Sequence, residues 1–379
     1  MNLTEEQILI RDMAKRFAAE KLLPGAAERD RTSAFPRDAF NALGELGLLG
    51  MMTPAEWGGA EAGHVAYALA LEEIAAADAS LSTIVSVHNG VGQLPILGFG
   101  NDQQKQKYLK PLAHGDMLGA FALTEPHAGS DASDLKCQAK FNGSHYILSG
   151  TKQFITSGRE ADIVIVFAIT DPEDGKKGIS AFIVPTNLAG YRVSGVEKKM
   201  GQRASDTAQI TFGAVELSPD LLLGQEGDGY KIALSNLEGG RIGIAAQSVG
   251  MARAAYEIAL NYANERKTFG KLIIEHQAVA FRLADMATQI EAARLLVMNA
   301  ATLRDHGKPC LKQASMAKLF ASEMAEKVCS DAIQTLGGYG YVEDFPLERI
   351  YRDVRVCQIY EGTSDIQRMV IARAIAKDI

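Results

Sequence analysis

The spacing of apolar residues changes twice along this chain, and that change limits its architecture more than any other feature. From Thr4 to about residue 114 the spacing is helical, between about 115 and 227 it alternates as strands do, and from about 228 to the end it is helical again. In the first region Thr4 and Gln7 have capping-box spacing, and Glu5 and Glu6 sit where acidic groups suit a helix dipole. The cluster from Thr53 to Gly59 predicts a turn, and Val65 to Ala77 resumes the helix. In the second region Ile163 to Ile169, Ile179 to Val184 and Thr207 to Leu217 are rich in β-branched residues and predict strands. Asn142-Gly143 predicts a hairpin with a type I′ turn between Gln138–Phe141 and His145–Leu148.

In the third region Val279, Leu283, Met286, Ile290, Ala293 and Val297 recur at steps of four and three, a bundle-type seam. A further helix is expected from near Pro309 to Gly337-Gly338, with Met316, Phe320, Met324 and Val328 on one side. No internal repeat or low-complexity linker separates the regions, so they are expected to form one body with domains at 1–114, 115–227 and 228–379. The fold class is mainly α with a central β domain.

Charge enters by exclusion. With 39 Lys and Arg against 46 Asp and Glu, the net charge of -7 offers no broad basic field for nucleic acid or an anionic membrane surface. No apolar run reaches membrane-spanning length and no signal-peptide pattern opens the chain, so a cytoplasmic protein is expected, or a mitochondrial-matrix one if a transit peptide was removed. The four cysteines, 137, 310, 329 and 357, show no metal-ligand spacing and read as reduced core thiols.

Several segments carry chemistry. Gln358 to Arg368 places Glu361 on a Gly-containing bend before a helix capped by Thr363 or Ser364. Apolar Ile359 and Tyr360 beside that carboxylate would raise its pKa, as a base for a carbon acid requires; the segment also suits an acid placed at a helix N-terminus. Phe121 to Asp131 mixes hydroxyls, Pro126 and Gly129 in a loop that suits either a flat or phosphorylated ligand or a polar turn. In Phe154-Ile155-Thr156 alternation puts an aromatic ring and a hydroxyl on one face, as a flavin or a half-buried strand would use. Arg266, near Phe269 and Gln277, suits a helix-dipole partner or a pyrophosphate clamp. The run Gln334 to Tyr341 has more glycines than a C-cap needs, and it lacks the strand-before, helix-after context of a dinucleotide fingerprint. Glu238-Gly239-Gly240-Arg241-Ile242-Gly243 puts three glycines inside a helix at about 1 kcal/mol each, so something approaches that helix closely.

In order along the chain, LTEPxAGSD at Leu123–Asp131, FIT at Phe154–Thr156, ERKTFG at Glu265–Gly270, QxLGGxGY at Gln334–Tyr341 and IYEGTSxIQR at Ile359–Arg368 resemble the acyl-CoA dehydrogenase family. The resemblance spans nearly the whole chain. It implies an N-terminal helical domain, a β-barrel-like middle domain and a C-terminal four-helix bundle, assembled as a homotetramer. It also implies FAD, held by Phe121, Leu123, Thr124, Gly129, Ser130, Phe154, Ile155 and Thr156, and by Arg266, Phe269, Gln277, Gln334, Gly337, Gly338, Thr363 and Asp365, partly across a subunit interface. Ser130, Glu238, Arg241 and Gly362 fall where the family contacts its thioester substrate. Glu361 matches the family's base, which takes the α-proton of an acyl-CoA while FAD accepts the β-hydride. Electron-transfer flavoprotein is the implied partner, and the short-chain and short branched-chain members look most similar. Members that carry the base on the long helix have it where this chain has Gly240. Phe154, His127 and Asp365 depart from the commoner residues at their positions. An oxidase or a non-catalytic flavoprotein of the same fold is the alternative.

Overall fold

The protein is described by a computed structural model covering residues 3–377. Its principal helices, numbered in chain order, begin with α1 (Glu5–Phe17), which starts at the expected capping box: Thr4 Oγ1 accepts from Gln7 N–H and the Gln7 side chain accepts from Thr4 N–H. Next come α2 (Gly63–Ala77) and α3 (Ala79–Val87), both almost wholly buried. Asp78 joins them, its carboxylate accepting from Leu81 N–H to cap α3.

The central region is a mixed sheet of β1 (Gly119–Ala122), β2 (Gln138–Phe141), β3 (Tyr146–Thr156), β4 (Ile163–Ile169), β5 (Ile179–Pro185), β6 (Tyr191–Val196), β7 (Thr207–Leu217) and β8 (Leu222–Leu223). The order is β6-β7-β3-β2-β4-β5-β8, with β1 lying parallel to β4. Strands β4 and β5 are buried from Ile163 to Ala168 and from Ile179 to Val184, as continuous apolar strands covered on both faces must be. The β2–β3 hairpin is present, but not with the expected two-residue turn. Phe141 pairs with Tyr146, and of the intervening residues only Gly143 has positive φ. Asn142 Oδ1 instead accepts from Ser144 N–H and His145 N–H, so side-chain bonding by the asparagine makes a wider loop.

The third region holds α4 (Gly229–Glu265), α5 (Gln277–Asp305), α6 (Leu311–Leu336) and α7 (Ser364–Ile375). Helix α4 packs on both α5 and α6, α7 packs on α6, and α2 lies across α4, joining the N-terminal helices to the bundle. The α5 seam lies as the spacing predicts, with Leu283, Met286, Ile290, Ala293 and Val297 buried. The α6 stripe does so only in part. Phe320 is exposed, and the buried face runs through Ala314, Ala317, Ala321, Ala325 and Ala332 with Met324 and Val328. Small residues let α6 approach α4 closely, and the larger Phe320 is turned out. Between α4 and α5 lies a small hairpin, β9 (Lys267–Thr268) with β10 (Lys271–Leu272), where a polar helix terminus alone was expected.

Candidate active site

Where β1 ends, a buried ion pair shapes the next loop. Lys152, fully buried on β3, donates from Nζ to the Leu123 carbonyl at 2.9 Å and to Glu125 Oε1 at 2.8 Å. Glu125 also accepts from Lys136 and Cys137 N–H, which satisfies the buried carboxylate. Gln153 N–H closes on the Thr124 carbonyl at 2.9 Å. The Leu123–Thr124 loop is thereby fastened to the Phe154 strand.

Phe154 itself is 62% exposed at φ 58, beside a register shift between Lys152 and Ile155 where β3 carries one residue more than β7. Such a bulge re-aims side chains. Phe154 and Thr156 remain on the open side, while the Ile155 side chain is buried in the sheet, leaving only its backbone for a ligand. Phe121 packs on Phe167 with ring centroids 4.8 Å apart, and Gly129 and Ser130 lie exposed on the loop beyond.

The Arg266–Gln277 segment forms a separate projection. Phe269 at φ 50 and Gly270 at φ 82 make a two-residue turn with positive φ at both positions, and Phe269 is 96% exposed at its tip. Arg266 is exposed at the base of this hairpin and Gln277 opens α5. Phe269 and Gln334 line one cleft of about 250 Å³, and Gly337 and Gly338 are exposed at the end of α6. These predicted ligand residues cluster, away from the Leu123 loop in sequence.

Glu361 occupies the expected bend, at φ 54 followed by Gly362 at φ 88, and Thr363 Oγ1 caps α7 by accepting from Ile366 N–H at 3.3 Å. A non-glycine residue in this left-handed region is held there by its surroundings. Its Oε2 is fully buried without a hydrogen-bond partner among the described residues. Burial pushes the carboxyl up to about 7, against the opposing pull of Arg241 and Lys318. Ile359 does not contribute to that burial, being 52% exposed; the glycines of α4 do. A Cβ at Gly240 would stand 2.7 Å from Glu361 Oε2, and one at Gly243 would stand 2.6 Å from Tyr67 Oη and 2.7 Å from Ser86 Oγ. A Cβ at Gly239 would stand 3.9 Å from His64 Nε2 and Leu94 Cδ1. The close approach expected of this glycine run is therefore made by the candidate base and by α2 and α3.

Arg241 is buried and donates to Ser315 Oγ at 3.2 Å, with its Nε unpartnered among the described residues. It reaches only groups that enter the interior. Glu238 accepts from Cys310 N–H and Sγ–H and pairs with Arg304 at 3.6 Å, so it is committed to the fold. Asp365 points to solvent. Sequence reasoning missed Lys318 and Gln367, both fully buried, which donate to the Gly362 carbonyl at 2.6 and 2.9 Å. The signal for Lys318 was a charged residue on the alanine stripe of α6. Tyr360 was read only as apolar cover; its hydroxyl meets Gln247, Thr83 and Gln202, a polar bridge from the base loop to α3, α4 and the β domain.

Sequence models of the N-terminal, middle and C-terminal domains of acyl-CoA dehydrogenases match residues 4–116, 120–215 and 227–376. The chain belongs to the acyl-CoA dehydrogenase family. It is 50% identical over 373 residues to an acyl-CoA dehydrogenase of Bacillus subtilis, covering 98% of each chain. The butyryl-CoA dehydrogenase of Megasphaera elsdenii superposes with a TM-score of 0.97 at 42% identity, covering 99% of each chain. An acyl-CoA dehydrogenase of Bacillus anthracis complexed with FAD superposes with a TM-score of 0.94 at 34% identity, covering all of this chain and 68% of that one.

As a member of this family the chain is an FAD-dependent oxidoreductase, and its residues fit that cofactor. The Leu123–Thr124 loop, the exposed Phe154 ring and the open loop at Gly129, where a Cβ would meet nothing within 4 Å, form a surface that a flat heterocycle and a phosphate can approach. Among the described residues no helix is long and apolar enough to cross a membrane.

Proposed function

We propose that this acyl-CoA dehydrogenase oxidises a short or short branched acyl-CoA to the trans-2-enoyl-CoA, with Glu361 as the base and electron-transfer flavoprotein as electron acceptor. The observation that carries the reading is the Glu361 carboxylate: its Oε2 is buried and unpartnered among the described residues, and its pKa is raised to about 7. A base that must take a proton from carbon near neutrality needs those properties together. Bound FAD supplies the acceptor for the hydride that leaves the β-carbon. The chain's own residues do the rest. The elbow at Glu361–Gly362 aims the carboxylate at the α-carbon, and the Glu361 N–H donates to the thioester carbonyl, where negative charge develops as the proton leaves. Burial keeps water from Oε2, the oxygen that lies against α4.

Small acyl groups are favoured by what fills the space over α4. Tyr67 and Ser86 crowd Gly243, where a Cβ would stand 2.6 Å from Tyr67 Oη and 2.7 Å from Ser86 Oγ. The likeness to a butyryl-CoA dehydrogenase supports the same size class. Phe269, thrust out on its hairpin beside Arg266, supports a homotetramer in which this tip reaches a neighbouring subunit and the ADP half of FAD.

Anaerobic bleaching of the flavin against acyl-CoAs from butyryl and isobutyryl to dodecanoyl tests the reading. Bleaching is expected to be fastest with the shortest chains. Glu361→Gln is expected to keep FAD and lose bleaching, and an unchanged rate in that variant refutes the assignment.

A further inference from the structure

Two buried side chains converge on one carbonyl behind the candidate base. Lys318 reaches it from α6 at 2.6 Å, and Gln367, from the first turns of α7, reaches it at 2.9 Å while also donating to the Glu361 carbonyl at 3.2 Å. The carbonyl is that of Gly362, at φ 88, directly after Glu361 at φ 54. Gln367 alone would satisfy this oxygen, and it does so without charge. Burying a lysine ammonium carries a heavy desolvation penalty, so a fold that needed only a second donor would be served better by a neutral one.

The charge has a target. Lys318 faces Glu361 together with Cys357, Arg241 and Glu323, and Glu361 in turn faces Arg241, Lys318 and the buried phenol of Tyr67. Of the cations there, Arg241 bonds to Ser315 on α6, while Lys318 is attached to the catalytic bend itself. We propose that Lys318 is a positioning residue for α-proton transfer: its ammonium locks the peptide after Gly362, fixing the bend that aims Glu361, and stabilises the anionic form of the neighbouring carboxylate. This rests on Glu361 being the base. Burial lowers the Lys318 amine to about 8, and the nearby Glu361 and Cys357 oppose that shift, so near neutral pH the ammonium is charged while Glu361 ionises.

The test compares FAD-loaded wild type with Lys318→Met, Lys318→Gln and Gln367→Met, using butyryl-CoA. Lys318→Met is expected to slow anaerobic bleaching about 100-fold, the scale of a misaimed catalytic group, with butyryl-CoA affinity changed less than about threefold. Loss of the positive charge makes the carboxylate harder to ionise, so the acid limb of the rate profile moves up by about one pH unit. Lys318→Gln restores a donor without charge and is expected to recover part of the rate but not the limb. Gln367→Met slows bleaching with the limb unmoved. Infrared titration of the Glu361 carboxyl band, identified by its absence in Glu361→Gln, reads the same upward shift in oxidised enzyme without substrate. It remains informative if butyryl-CoA is not a substrate, which would count against the functional reading instead. A loaded Lys318→Met enzyme with wild-type bleaching and limb overturns the proposal. So does a rate loss that follows FAD loss alone, with carboxyl titration unchanged. If Lys318→Met does not fold, Lys318→Gln decides: an unmoved limb and carboxyl band overturn it.

Discussion

The carboxylate of Glu361 fills the space that a side chain at Gly240 would need. A Cβ there would meet Oε2 at 2.7 Å, Cδ at 3.0 Å and Oε1 at 3.1 Å. The two positions at which the resemblance allows a base are thus competitors for one volume, and in this chain a glycine concedes it to the carboxylate on the bend.

Gly240→Ala follows directly. The nearest atoms are the far end of a flexible side chain, so the helix accommodates the methyl by displacing Glu361, and α4 gains up to about 1 kcal/mol of helix propensity. Stability is expected to hold or rise while the flavin-bleaching rate falls roughly 100-fold, as for a catalytic group moved by about 1 Å. A variant of unaltered rate would mean that Glu361 is not aimed as described.

The raised carboxyl of Glu361 also has a stability signature. Its value moves from 4.5 in the unfolded chain to about 7 in the fold, so between those limits the folded protein binds more protons, and the stability contributed by the protonated carboxyl is lost as pH rises through 7. Glu361→Gln removes that loss. The variant is expected to gain on the order of 2 kcal/mol relative to wild type at pH 8 and little at pH 4. Asp206 and Asp353, pushed by burial to about 6 and about 7, slope the same way but remain in both proteins, so the difference between melting curves isolates Glu361. Parallel stability curves from pH 4 to 8 would contradict the burial of the charge.

Much of this site was legible in the sequence because it follows local rules. The Glu361–Gly362 bend and its Thr363 cap are written in adjacent residues, and β4, β5 and β7 show their composition over seven or more positions. What stayed hidden depends on distant partners. The β3 bulge that presents Phe154 is an offset against β7, and nothing in Gln153-Phe154-Ile155 marks it. The β9–β10 hairpin has strands of two residues, too short for any period to register, and Phe-Gly is not a usual type I′ pair. On α6 the expected stripe included Phe320, which is turned out, although Met324 and Val328 do lie on the buried face, because close helix contact selects small residues instead. Lys318 was overlooked for a related reason: its role is defined by a carbonyl 44 residues away.

The Lys152–Glu125 pair predicts a coupled effect on stability and cofactor. Both side chains are almost completely buried, and Lys152→Met leaves the carboxylate uncompensated and frees the Leu123 carbonyl. Breaking one partner of such a pair costs about 3–5 kcal/mol. Thermal melts are expected to show that loss together with release of FAD on gel filtration, and Glu125→Gln added to Lys152→Met is expected to recover part of both. Separate loss of stability with full FAD retention would detach the pair from the cofactor loop.

The hairpin tip predicts an effect on assembly. Phe269 is almost fully exposed on a turn that fixes its direction, an arrangement unfavourable for an isolated chain and natural where a neighbour receives the ring. The ring contact that Phe269→Ser removes is the edge of His276, 6.1 Å between centroids, and the side chain is 96% exposed, so fold stability is expected to stay within about 0.5 kcal/mol. Sedimentation is expected to show smaller assemblies than wild type and absorbance a lower flavin content, and Arg266→Ala is expected to lower flavin content with less effect on assembly, since a guanidinium holds phosphate rather than packing against a subunit. If Phe269→Ser leaves both mass and FAD unchanged at low protein concentration, the tip is not an intersubunit element.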